Sequence, residues 1–168
     1  VEQTSTAVDA TLNVVGDTVL PSTATVAITG GFQLAQDVLG FTNVPASHGN
    51  IAGSYDATTG VLTLTSAGAA ATLAQWQAAL RAVTYTVTVD NPNTGTRTLS
   101  LKLSGTGFES AVVTKSVSVT AVNDVPVATP SSGATAAIKQ NAVAIDSGLT
   151  VVDADNDTLA SATVTISS

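Results

Sequence analysis

The chain has 168 residues, with 5 Lys and Arg against 12 Asp and Glu, and it contains no cysteine. Disulfide scaffolds and cysteine-based metal sites are therefore excluded, and the net charge of −7 argues against nucleic acid, which requires clustered Lys and Arg. Thr, Ser, Gly or Asp interrupts every apolar run well before the roughly 20 residues of a spanning helix, so we expect no membrane insertion.

Alternation of apolar and polar residues with a period of two dominates the chain and predicts β-strands rich in Thr and Val. The predicted strands, in chain order, are residues 6–14, 24–28, 51–55, 61–65, 83–89, 99–103 and 108–122. The polar residues 56–60 between the third and fourth strands end in Gly60 and predict a hairpin. Short strands separated at regular intervals by turn residues are typical of an all-β, Greek-key β-sandwich.

One segment departs from this alternation, because Leu73, Trp76 and Leu80 follow a helical spacing. Thr72 and Gln75 form a capping-box pattern at its start. The sequence therefore predicts one short inserted helix near residues 72–83, which covers an end of the sandwich. Trp76 is interpreted as a core anchor, with a sugar-stacking platform as the less favoured alternative.

The beginning of the chain is repeated near its end. The identical pairs are Gln3/Gln140, Ala7/Ala144, Asp9/Asp146, Leu12/Leu149, Val14/Val151 and Val15/Val152. When the alignment offset is increased by one residue, Val26 matches Val164 and Ile28 matches Ile166. Such long-period self-similarity indicates a tandem array of domains. We predict a complete module in residues 1–124, a linker in 125–138, and the first strands of a second, truncated module in 139–168. The alternative, in which residues 31–168 form a circularly shifted complete module, stays open.

The second copy carries an acidic loop, Asp153-Ala154-Asp155-Asn156-Asp157. Calcium takes roughly six to eight oxygen ligands, and alternating acidic residues direct several carboxylates to one point. The loop lacks the Gly and the distal Glu of an EF-hand, so solvent-facing charge without a metal remains the alternative.

The segment V-S-V-T-A-V-N-D-V-P-V-A, residues 117–128, resembles the junction between cadherin-like tandem repeats of large bacterial surface and secreted adhesins. Residues 55–64, 75–85 and 91–99 resemble the body of the same repeats, so the resemblance covers nearly the whole chain. It implies a cadherin-like, immunoglobulin-like β-sandwich with an extracellular location, at the bacterial cell surface or secreted. Adjacent modules of the same polypeptide would be its partners.

The resemblance also implies calcium between successive modules. Its ligands here would be Asn123 and Asp124 of the junction together with Asp153, Asp155 and Asp157. Two departures reduce the expected site, since the first copy keeps one carboxylate, Asp17, in the equivalent loop, and Lys139 replaces the equivalent of Glu2.

These observations predict a structural extender repeat, with a carbohydrate- or ligand-binding module as the alternative. We expect no enzyme activity, because His48 is the only imidazole and Ser47 is merely its neighbour in sequence. We interpret His48 as part of a surface loop. The repeated strands of residues 139–168 are expected to be disordered or to pair with a sheet edge, and strand exchange with another copy through them is a further possibility.

Overall fold

The structure, a computed structural model, describes residues 3–16, 18–155 and 158–166. The chain divides into two compact units, Val1–Val122 and Asn123–Ser168. No helix of the described residues is long and apolar enough to span a bilayer.

The first unit is an all-β sandwich with short helices. Its strands are β1 (Thr6–Ala7), β2 (Thr23–Gly30), β3 (Asp37–Gly40), β4 (Ile51–Asp56), β5 (Val61–Ser66), β6 (Thr84–Val87), β7 (Gly95–Gly105), β8 (Phe108–Glu109) and β9 (Val113–Val119). One sheet has the order β4-β5-β2-β7-β8, with β9 also paired to β7, and the other has the order β1-β6-β3. All of these pairs are antiparallel. The fold class predicted from the alternation of residues is confirmed.

The core lies between the two sheets, because alternate residues of each strand point inward. The larger sheet contributes Val26, Leu62, Leu64 and Leu99, and the smaller sheet contributes Leu39, Tyr85 and Val87. The hairpin predicted at residues 56–60 joins β4 and β5, and Gly60 closes it with a positive φ of 69° that a side chain would strain.

The inserted helix is also confirmed. Helix α2 (Leu73–Arg81) begins with a complete capping box, in which the Thr72 hydroxyl accepts from the Gln75 N–H and the Gln75 side chain accepts from the Thr72 N–H. Trp76 is 0% exposed and donates its indole N–H to the Pro21 carbonyl at 3.0 Å. It is therefore a core anchor, and its ring has no free face for a sugar.

Three predicted strands are shorter than expected: the strand predicted at 83–89 is formed only at Thr84–Val87, and polar side chains interrupt the other two. Residues 6–14 form a strand only at Thr6–Ala7, because the Asp9 carboxylate accepts the Thr11 N–H and bends the chain. The strand predicted at 108–122 is divided into β8 and β9, since Ser110 turns its hydroxyl to the Leu103 N–H in place of a regular ladder bond. In both places a polar side chain competes with the sheet for backbone groups.

His48 does not lie in a surface loop as expected. It ends the one-turn helix α1 (Pro45–His48) and is buried, with Nδ1 accepting the Val44 N–H at 3.0 Å and the ring packed against Phe41. The Ser47 hydroxyl donates to the Val44 carbonyl. Both side chains therefore have structural partners.

The second unit contains one antiparallel strand pair among its described residues, β10 (Val127–Thr129) with β11 (Thr150–Val152). Its apolar side chains, including Ile145, Val152 and Ile166, are exposed. Among the described residues of this unit, four aspartates are half-buried and the others are exposed. The four are Asp124, Asp146, Asp153 and Asp155.

Candidate metal site

The junction and the acidic loop are brought into direct contact within the second unit. The Asp124 N–H donates to the Asp155 carboxylate, with 2.6 Å between the nitrogen and Oδ2. Residues 124 and 155 are separated by a long stretch of sequence, and the β10–β11 pair returns the chain so that the two ends meet. The structure therefore places together two segments that the resemblance assigned to one calcium site.

The loop is bent by its own carboxylates. The Asp155 N–H donates to Asp153 Oδ1 at 3.0 Å, which is a typical Asx turn. At the junction, the Asn123 side-chain amide donates to the Asp124 carbonyl at 2.9 Å. Asp124, Asp153 and Asp155 are half-buried, whereas Asn123 is exposed.

The chemistry of this donor set suits a hard divalent cation. Carboxylate, amide and backbone oxygens are the ligands that calcium prefers, and three half-buried aspartates lie on the two contacting segments. Within residues 3–16, 18–155 and 158–166, however, no three Asp, Glu, His or Cys side chains converge as a ready-made ligand group. Asp157, the fifth expected ligand, lies outside the described residues. The residues present thus fit calcium in type, and the two segments that carry them are in contact. Their carboxylates would converge when calcium binds.

The other cluster of charged groups lies inside the first unit and is structural. Asp37 is buried and pairs with Arg97, whose Nε lies 2.9 Å from Oδ2. The Tyr85 hydroxyl donates to Asp37 Oδ1 at 2.6 Å, and the Gln33 N–H donates to Oδ2 at 2.8 Å. Burial and the adjacent Asp37 carboxylate raise the pKa of Tyr85, because both disfavour the tyrosinate.

The groups of this cluster are buried and are bonded to one another and to the backbone. The remaining Arg97 donor contact is with the Asn93 carbonyl at 2.8 Å, and the Tyr55 hydroxyl donates to the Asp37 carbonyl at 2.8 Å. Among the described residues, no buried side-chain nitrogen or oxygen lacks a hydrogen-bond partner. Sequence reasoning missed the cluster, because Asp37 and Arg97 lie far apart in the chain and no spacing rule links the two positions.

Aromatic side chains offer little for a sugar platform. Trp76 and Tyr85 are buried, and the remaining aromatic residues, Phe32, Phe41, Tyr55 and Phe108, are half-buried. Comparison of the chain with family models, curated proteins and solved structures finds no match.

Proposed function

We propose that the chain is a non-catalytic extender repeat of a bacterial cell-surface or secreted adhesin, stiffened by calcium at the junction between successive modules. The observation that carries the proposal is the hydrogen bond between the Asp124 N–H and the Asp155 carboxylate, which joins the junction to the acidic loop. The junction motif of residues 117–128, through its resemblance to cadherin-like repeats, supplies the extracellular setting and the adjacent modules as partners.

Calcium bound there supplies a crosslink between oxygens of two chain segments. Asp124 and Asn123 would contribute from the junction, and Asp153, Asp155 and Asp157 from the loop. The connection that follows β10 is held by Asp146, which accepts the Ser131 N–H at 2.8 Å and the Ser131 hydroxyl at 2.7 Å. Calcium at the other end of the pair, between residues 123–124 and the loop of 153–157, would restrain where the chain enters and leaves β10 and β11, and such restraint is what an extender must provide.

The proposal includes no catalysed reaction, because the polar side chains of the first unit that we considered as catalytic candidates have structural partners. Asp37, Arg97, His48 and Ser47 all have structural partners within the sandwich. Trp76, the strongest candidate for sugar stacking, is buried in the core. We therefore prefer the extender to a ligand-binding module.

Calorimetric titration of the chelator-stripped chain with calcium tests the proposal. We expect a binding isotherm that weakens at least tenfold in Asp153→Asn/Asp155→Asn. Asn keeps an oxygen that can accept the Asx-turn and junction hydrogen bonds, so the substitution removes charge while preserving the loop's local geometry.

The matched control is Asp56→Asn/Glu109→Gln, which removes the same number of carboxylates from exposed positions of the first unit. It should bind calcium as the parent chain does. If the parent chain gives no heat of binding at millimolar calcium, or if the control loses affinity as much as the loop variant, the calcium-stiffened extender is wrong.

A further inference from the structure

An open apolar groove runs along the first unit beside residues 12–15. It has a volume of about 250 Å³. Its lining is Leu12, Asn13, Val14, Val15, Leu80, Leu101, Lys102, Leu103, Ser110, Ala111 and Val113. Val15 is 83% exposed on this groove, and Asn13–Val15 join no strand of the part of the chain that the structure describes.

The second unit shows what pairs with the equivalent segment. Val14 and Val15 are repeated as Val151 and Val152, which belong to β11 and pair antiparallel with β10. The register places Val127 opposite Val152 and Ala128 opposite Val151. The second copy therefore has a strand partner at the position where the first copy has a groove.

The two copies share more than sequence, because their local backbones agree. Gln3 and Gln140, which are equivalent, both adopt a positive φ, of 49° and 66°. The equivalent Asp9 and Asp146 each accept the N–H of the residue two positions later, at 2.9 and 2.8 Å. These agreements at equivalent positions are the basis for transferring the pairing register of the second copy to residues 13–15 of the first.

We propose that this groove binds strand β10, with its flanking residues 123–126, from a second copy of the chain. The transferred register places Val127 of the incoming strand opposite Val15, Ala128 opposite Val14 and Thr129 opposite Asn13. The Val14 N–H donates to Gln77 Oε1 at 3.0 Å, so the incoming strand would pair through the backbone groups of Asn13 and Val15, in the manner of β-strand addition. This inference goes beyond the role proposed above, and because it needs β10 released from β11, calcium at Asp124 and Asp155 would oppose it.

The chemistry of the strand matches the groove. The exposed Val125 and Val127 would cover apolar lining, and Pro126, which lacks an N–H, is acceptable on an edge strand. The one charged residue of the groove is Lys102, whose ammonium also pairs with Glu109, and the one charged residue of the segment 123–129 is Asp124, of opposite sign. Charge and apolarity are therefore complementary.

Addition of β10 is favoured over exchange of residues 139–152 for residues 3–15. An exchanged segment would have to displace Val8, which is buried in the core, and break the pairing of β1 with β6. Addition of β10 requires only that this strand leave β11 of its own copy, and it fills a groove that is already open. Because the groove and the strand are different surfaces, the contact is head-to-tail and propagates into open chains of molecules.

Cysteine trapping tests this proposal, since the chain has no cysteine of its own. Val15→Cys and Val127→Cys are prepared as separate variants, mixed, and oxidised in a glutathione buffer. Both positions are exposed, so neither substitution disturbs the core. Directly opposed residues of an antiparallel pair have Cα atoms about 4.5–5.5 Å apart, which is within disulfide range.

We expect the mixed dimer to form at least fivefold faster than with either of two controls. Val15→Cys with Thr129→Cys places the thiols out of register, and Thr58→Cys with Val127→Cys places one thiol in an exposed turn away from the groove. Introducing Ala111→Glu into the Val15→Cys chain should bring the rate down to that of the controls, because a carboxylate would then be desolvated in the groove.

Rates equal to the controls would overturn the proposal. The double variant Val15→Cys/Val127→Cys distinguishes the source of the strand: we expect disulfide-linked oligomers that grow with concentration. A closed monomer that forms at a concentration-independent rate would show instead that the chain's own segment reaches the groove, and it would overturn a second copy as the occupant.

Discussion

The two copies of the repeated sequence place the same residues in opposite surroundings. Val26 and Ile28 are 0% and 5% exposed in the first unit, whereas their equivalents Val164 and Ile166 are 74% and 100% exposed. The sequence of the two segments is nearly the same, so the difference arises from what surrounds them. In the first unit, β5 and β7 pair with both edges of β2, and the smaller sheet covers the inner face.

Alternation of apolar and polar residues determines which side chains share a face of a strand. Other strands must supply the surface that buries that face. Local features are reproduced in both copies, as the paired positive φ angles and Asx turns show. Burial is reproduced only where the rest of a sandwich is present. The second unit is instead organised around aspartates at the junction.

The largest effect expected from a single substitution falls on the buried ion pair of the first unit. Arg97→Met leaves the Asp37 carboxylate buried without its partner, which should lower the free energy of unfolding of this unit by about 3–5 kcal/mol. Urea unfolding followed by Trp76 fluorescence measures it. Lys102→Met, which breaks the exposed pair with Glu109, is the control and should cost less than about 1 kcal/mol. Equal losses in the two variants would contradict a core organised around Asp37.

A matched pair of substitutions tests the contrast between the copies directly. Ile28→Ala should destabilise the first unit by about 2–5 kcal/mol, because it leaves a cavity in the core. Ile166→Ala, at the equivalent exposed position, should stay within about 0.5 kcal/mol. Chemical denaturation of both variants under the same conditions gives the comparison. A loss from Ile166→Ala as large as that from Ile28→Ala would mean that the second copy has a packed core.

Alkaline pH should destabilise the first unit, where both tyrosines of the chain, Tyr55 and Tyr85, lie. Burial is the main cause that raises the pKa of each tyrosine above its ordinary value near 10, and the nearby Asp37 carboxylate raises it further. A tyrosine whose pKa is higher in the folded than in the unfolded chain stabilises the fold. This contribution is fully present at pH values below the pKa of the unfolded chain, and it is lost as pH rises, because the unfolded chain releases the proton first. The melting temperature should therefore fall as pH increases beyond about 10.

The tyrosine variants sharpen this test. Tyr85→Phe removes a hydroxyl that donates to Asp37, so the variant should be less stable at neutral pH, by about 1–3 kcal/mol, and less sensitive to alkali. Thermal melts at several pH values measure both properties. A melting temperature that falls equally steeply in the variant would show that other groups cause the alkaline loss.

Features that depend on nearby residues could be predicted from the sequence. Helix α2 follows from helical spacing and the capping box at Thr72 and Gln75, and the β4–β5 hairpin follows from alternation and Gly60. The burial of His48 could not be predicted, because a one-turn helix has no periodicity and its partner Phe41 is not at a characteristic spacing.

The long-range contacts were also beyond local reasoning. The ion pair between Asp37 and Arg97 joins strands of different sheets, and no spacing rule links the two positions. At the junction, Asp124 contacts Asp155, and both belong to segments that the resemblance assigned to the calcium site. Whether the carboxylates converge on an ion depends on side-chain rearrangement and on Asp157, and neither can be derived from sequence spacing.

Amide hydrogen exchange with calcium and with chelator tests the central claim most directly, because it reports on each unit separately. We predict that calcium increases protection of the residues around β10 and β11, leaves residues 3–122 unchanged, and has no effect on Asp153→Asn/Asp155→Asn. Protection around β10 and β11 that is the same with calcium and with chelator would contradict a calcium-stiffened junction.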